Sequence, residues 1–102
     1  MASSKEYLIY VLELLREVTA ISYKKMMGEY IIYKKDVVVG GIYDNRFLVK
    51  QTPCAKKLLP NAKLEAPYEG GKEMLLVEDV EDRELLKKLF ERVASDLLAK
   101  KK

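Results

Sequence analysis

The chain has 102 residues, nearly half of them apolar and about a third charged. Such a length and composition make one globular domain with one core, and exclude both a disordered chain and a two-domain protein. Histidine and tryptophan are absent and cysteine occurs once. This excludes His-based acid–base catalysis, Ser-His-Asp and Cys-His nucleophile systems, most zinc sites and an internal disulfide.

The formal charge of +3 is unevenly placed, with ten basic and six acidic residues up to Pro60 and nine and ten beyond it. Lys100, Lys101 and Lys102 supply three of the positive charges. Without them the domain is neutral, which counts against nucleic-acid binding through bulk charge. The expected organisation is a single domain over 1–99 and a disordered basic tail over 100–102. No apolar leader is visible at the start, and no apolar run approaches the roughly 20 residues of a membrane span. A lone free cysteine suits a reducing compartment, so the expected location is the cytoplasm, with no membrane partner.

In chain order, Ser3 followed by Glu6 reads as a capping box. Tyr7, Leu8, Val11, Leu12 and Leu15 then recur on one helical face, predicting a helix from about Ser3 to Glu17. Ile21 and Tyr23 alternate within a short strand ending at Met26, and Gly28 breaks it. Tyr30 to Tyr33 is β-branched and aromatic and predicts a second strand. Lys34-Lys35-Asp36 predicts a polar turn, and Val37 to Tyr43 a third strand whose Gly40-Gly41 pair marks a bulge, a bend or a close backbone approach. Asp44-Asn45 predicts a hairpin turn into a fourth strand, Arg46 to Lys50. Thr52-Pro53 starts a short helix that Pro60 stops. Asn61 to Lys72 is expected to be an ordered loop without regular structure, long enough to be of functional interest. Met74 to Val77 predicts a buried strand. The last helix carries Leu85, Leu86, Leu89, Phe90, Val93, Leu97 and Leu98 on one stripe. The order α-β-β-β-β-α-β-α predicts an α+β domain, a two-layer sandwich with an antiparallel sheet and helices packed on one face.

Chemistry-bearing constellations are few. Glu78, Asp79, Glu81, Asp82 and Glu84 lack the spacing of a calcium loop and read as charge matching at a helix start. Cys54 lies near a helix N-terminus but has no second cysteine or histidine beside it, and reads as a small buried or half-buried filler. Gly40-Gly41 and Gly70-Gly71 match no phosphate-loop pattern. No catalytic residue, metal or cofactor is expected. Tyr23, Tyr30, Tyr33, Tyr43 and Tyr68 interleave with Lys24, Lys25, Lys34, Lys35, Arg46, Lys50 and Lys72. That pattern suits ordinary strand packing, a protein interface or a base-stacking platform.

Lys25-Met26-Met27-Gly28-Glu29-Tyr30-Ile31-Ile32-Tyr33 resembles the signature of the TfoX N-terminal domain, in which Lys-Met-Phe-Gly precedes (Gly/Glu)-Tyr-Gly-(Leu/Ile)-Tyr. The preceding helix, Asp44 to Lys50, Pro67-Tyr68 ahead of Lys72, and Val77-Glu78-Asp79 before the last helix extend the resemblance over about 1–98. Met27 stands where the family has an aromatic residue, and Ile31 where it has glycine. TfoX/Sxy proteins are bacterial competence regulators that work with the cyclic-AMP receptor protein, and the full-length regulators carry a further helical domain. The resemblance implies a two-layer α/β sandwich and a non-enzymatic protein-interaction module in transcriptional regulation, whose partner is transcription machinery or a regulator. It assigns Lys25, Gly28, Tyr30, Tyr33, Arg46 and Lys50 as candidate interaction residues. On this reading Tyr30 and Tyr33 anchor a partner on an exposed sheet face, and Arg46 and Lys50 set its polar register. The alternatives are direct DNA binding and a homodimeric structural module that pairs through an exposed strand edge.

Overall fold

The computed structural model describes residues 4–26, 28–78 and 82–100. Ser3, Met27, Asp79, Glu81, Lys101 and Lys102, all named above, lie outside them. The elements run α1 (Lys5–Leu14), β1 (Ile21–Met26), β2 (Glu29–Lys34), β3 (Val37–Tyr43), β4 (Arg46–Val49), α2 (Pro53–Leu58), β5 (Leu64–Glu65), β6 (Met74–Leu76) and α3 (Arg83–Lys100). This is the expected α+β order with one short strand added, and α3 takes in Lys100.

Ser4 caps α1, accepting the Tyr7 N–H at 3.2 Å. The cap thus sits one residue beyond the expected Ser3. The helix also closes at Leu14 and not at Glu17. Leu15 and Val18 leave the helical path to be buried against the core, so packing overrides local propensity there.

Every neighbouring strand pair is antiparallel, in the order β1-β2-β3-β4-β6-β5. The tight turns are set by residue type. Gly28 takes φ +84° between β1 and β2, while Lys35-Asp36 and Asp44-Asn45 each place two consecutive residues at positive φ, as twisted two-residue hairpins require. Lys34, expected in the polar turn, is instead the last residue of β2 and is buried. The segment Asn61 to Lys72 is not wholly irregular. Leu64 and Glu65 pair with Leu75 and Met74 as β5, and the Leu76 N–H reaches Lys63 O at 2.9 Å. This pairing satisfies backbone groups that the outer edge of β6 would otherwise leave open.

The helix-side face carries Tyr30, Ile32, Val39, Ile42, Phe47, Val49, Leu75 and Val77. Against it pack Leu8, Val11 and Leu15 from the N-terminal segment and Leu86, Leu89, Phe90 and Val93 from α3. Ala94 joins this buried stripe, whereas Leu98, expected on it, is exposed. Phe47 and Phe90 meet at the centre, with ring centroids 5.8 Å apart. Each such fully buried side chain contributes about 1.5–3 kcal/mol.

The glycine pair does what its position suggests. The register shifts between Ile32 and Tyr33, so Val39 bulges out beside Gly40. A Cβ on Gly40 would run into the Leu48 carbonyl oxygen, and one on Gly41 would come within 2.6 Å of Tyr30 O and 2.8 Å of the Tyr43 ring. Both glycines therefore serve close backbone approach. Gly40→Ala is expected to destabilise the fold by about 1–3 kcal/mol or more through overpacking, read as a lower urea midpoint with an unchanged slope.

Asp96 of α3 joins the two helices. It accepts the Cys54 N–H at Oδ2 (3.0 Å) and the Cys54 thiol at Oδ1 (3.3 Å). Cys54 is half-buried there. The backbone bond from Cys54 is the main influence holding the carboxyl below its ordinary value. Partial desolvation opposes it, and the Thr52 hydroxyl, the thiol and Lys57 assist. With the folded-state value depressed, Asp96 stabilises the fold fully above the ordinary carboxylate range, and the contribution is lost as pH falls through the folded value. Asp96→Asn is therefore expected to lower the melting temperature at neutral pH, with the gap from the parent narrowing below about pH 4.

Candidate functional site

Three helices cover one side of the sheet. Residues opposed across an antiparallel pair project to the same face. The register therefore places Ile31, Tyr33, Val38, Gly41, Tyr43, Arg46, Leu48, Glu65, Met74 and Leu76 on the helix-free side. Over β3, β4 and β6 this side has a small core of its own, in which Tyr43, Leu48 and Met74 are buried and Leu76 packs against them.

A folded loop, 66–73, lies against that cluster. Pro67 is buried, and the Gly71 N–H closes a turn on Tyr68 O at 3.0 Å. Tyr68 meets the Tyr43 ring edge-on at 6.5 Å, yet remains 65% exposed. Arg46 is the fastener. Its guanidinium donates from Nη1 to Glu65 Oε1 at 2.7 Å, from Nε to Tyr43 O at 3.2 Å and from Nη2 to Pro67 O at 3.5 Å. One side chain thus ties β3, β5 and the loop together. Beside the loop is an open groove of about 880 Å³ whose walls include Val38, Tyr43, Lys50, Tyr68, Lys72 and Met74. Burial, with Tyr68, Glu29 and Tyr33 nearby, raises the Tyr43 hydroxyl above the ordinary tyrosine value, so it is a neutral hydrogen-bonding group.

The six candidates from the sequence do not form one surface. Tyr33 and Arg46 lie on the helix-free side, and Lys50, just beyond β4, reaches the groove. Gly28 is a turn residue. Lys25, exposed on the edge strand, pairs with Tyr30. Tyr30 is 6% exposed and belongs to the main core, so it is not a surface anchor. The reason is the strand period. Tyr30 and Tyr33 are three residues apart on β2 and project to opposite faces. Arg46 is likewise committed to internal partners rather than free to set a partner's register. The groove aromatics are Tyr43 and Tyr68, which the six omitted. The parity of β2 and β3 could have identified Tyr43, but Tyr68 depends on a loop fold that no periodicity shows.

The acidic run before α3 contains its cap, since Asp82 Oδ1 accepts the Leu85 N–H at 3.1 Å. Among the described residues no group of three His, Cys, Asp or Glu side chains is placed to hold a metal ion. Among them, too, no helix is long and apolar enough to cross a membrane.

Over 80 residues the chain is 31% identical to an uncharacterized 12.7 kDa protein in the trpE 5′ region of Spirochaeta aurantia, covering 78% of this chain and 70% of that one. The chain belongs to that protein's family. No family model matches the sequence. No solved structure matches it either.

If Arg46 fastens the loop, then Arg46→Gln should speed amide exchange at Tyr68 to Gly71 well before it affects β2 or α3. The global cost is expected to be about 1 kcal/mol, as for a partly exposed ion pair with added carbonyl bonds.

Proposed function

We propose that the chain is a non-enzymatic protein-docking module that binds its partner through the helix-free face of the sheet. The carrying observation is the makeup of that face. Tyr33 and Tyr68 stand there with Ile31 and Val38, Tyr68 leaning on the buried Tyr43 ring. Tyrosines set in an apolar patch with a mixed polar rim are the usual anchors of protein interfaces. The rim charges are of both signs, with Lys50 and Lys72 near Glu73 and the Arg46 charge already neutralised by Glu65. A phosphate-binding groove needs an excess of free cations, so the balance favours protein over DNA. The resemblance to the TfoX N-terminal domain supplies the setting. It suggests transcriptional regulation in the cytoplasm, with transcription machinery or a regulator as the partner.

The test uses isotopically labelled protein titrated separately with purified host RNA polymerase, with cyclic-AMP receptor protein and with a DNA duplex at two salt concentrations. Saturable changes at Tyr33, Tyr43 and Tyr68 with a protein partner are expected. The double substitution Tyr33→Ser/Tyr68→Ser should weaken that binding by roughly tenfold or more while leaving the fold intact. Binding to DNA on the same residues, weakening steeply with salt, would replace this reading with direct DNA recognition.

A further inference from the structure

On the other side of the sheet, a lysine is buried without a carboxylate partner among the described residues. Lys34 ends β2 facing the helices and is only 4% exposed. Its ammonium donates to Thr19 O at 2.8 Å and approaches Thr19 Oγ1 at 3.4 Å. An ammonium has three protons to place. Among the described residues no carboxylate lies within 4.0 Å of Lys34 Nζ, since the ion pairs there are Arg16–Glu13 and Arg46–Glu65. A buried lysine whose printed partners are one carbonyl and one hydroxyl, with no carboxylate beside it, has a proton left to give to an anion.

The same side chain lines a pocket of about 280 Å³ with Thr19, Lys35, Glu91, Ser95 and Leu98. This is below the size range of sites for drug-sized ligands. Its donors are two ammonium groups and two hydroxyls. The single carboxylate is Glu91, which makes no ion pair among the described residues; it is exposed, as are Thr19, Lys35 and Ser95, and Lys34 is the buried polar group of the lining. We propose that this pocket binds a small oxyanion, a carboxylate or a phosphate, with Lys34 Nζ as its principal partner and Lys35, Thr19 and Ser95 around it. Glu91 then acts against the anion and limits its affinity. The site is separate from the docking face, being across the sheet from it.

The experiment titrates the labelled full chain with sodium phosphate and, separately, sodium acetate, against sodium chloride at matched ionic strength. Saturable shifts at the amides of Thr19, Lys35 and Ser95 are expected with an oxyanion and not with chloride, and the tighter of the two names the ligand class. Lys34→Met, which keeps the buried stem, should weaken binding roughly tenfold or more. Lys34→Arg should retain it, and Glu91→Gln should tighten it several-fold. Absence of saturation with both oxyanions, an equal response to chloride, or undiminished binding by a folded Lys34→Met variant would overturn the proposal. If Lys34→Met does not fold, the Glu91→Gln comparison decides, because an unchanged midpoint there rejects the pocket as the site.

Discussion

A six-stranded sheet has two faces, and here the helices are spent on one of them. That constraint governs the rest of the molecule. The helix side is finished by ordinary apolar packing centred on Phe47 and Phe90. The opposite side has no second helical layer, yet Leu48 is fully buried on it. The loop after β5 covers that part, held by the Arg46 guanidinium across Tyr43, Glu65 and Pro67. The cover is partial. Ile31, Tyr33 and Val38 remain half-exposed beyond it, and Tyr68 projects from its edge. The proposed docking face is thus the portion of the sheet that the fold leaves unfinished.

The close approach at Gly40 and Gly41 belongs to the same arrangement. The bulge at Val39 and the absence of side chains at two consecutive positions let β4 and the Tyr43 ring come close to β3. The ring then lies over the strand and meets the Tyr68 ring at an interplanar angle of 60°. A backbone detail in the middle of the sheet in this way sets the aromatic pair at the groove.

The two edges of the sheet differ. β5 is two residues long and is backed by the loop, while β1 is six residues long, exposed and marked by Lys24 and Lys25. Lysines on an edge strand discourage indiscriminate pairing with other chains. This suits a module that meets its partner on a face and not along an edge. The Lys34 pocket, near the α3 side of β2, is independent of both features.

Much of the architecture was legible from residue order. Periodicity located the helices and every strand but β5, the Asp44-Asn45 and Thr52-Pro53 signals marked a turn and a helix start, and the β-rich run between helices implied an antiparallel sheet with one covered face. These are local properties, written in neighbouring residues. Whether Tyr30 or Tyr33 reaches the surface, whether Arg46 is free or fastened, and whether Lys34 belongs to a turn or to the interior were decided by pairing register and by a loop that returns across the sheet. Those outcomes depend on contacts between residues far apart in the chain, as in the 19 positions between Arg46 and Glu65. Local sequence determined which elements form. Only the tertiary structure decided which side chains they leave available, because availability depends on what comes to lie on top.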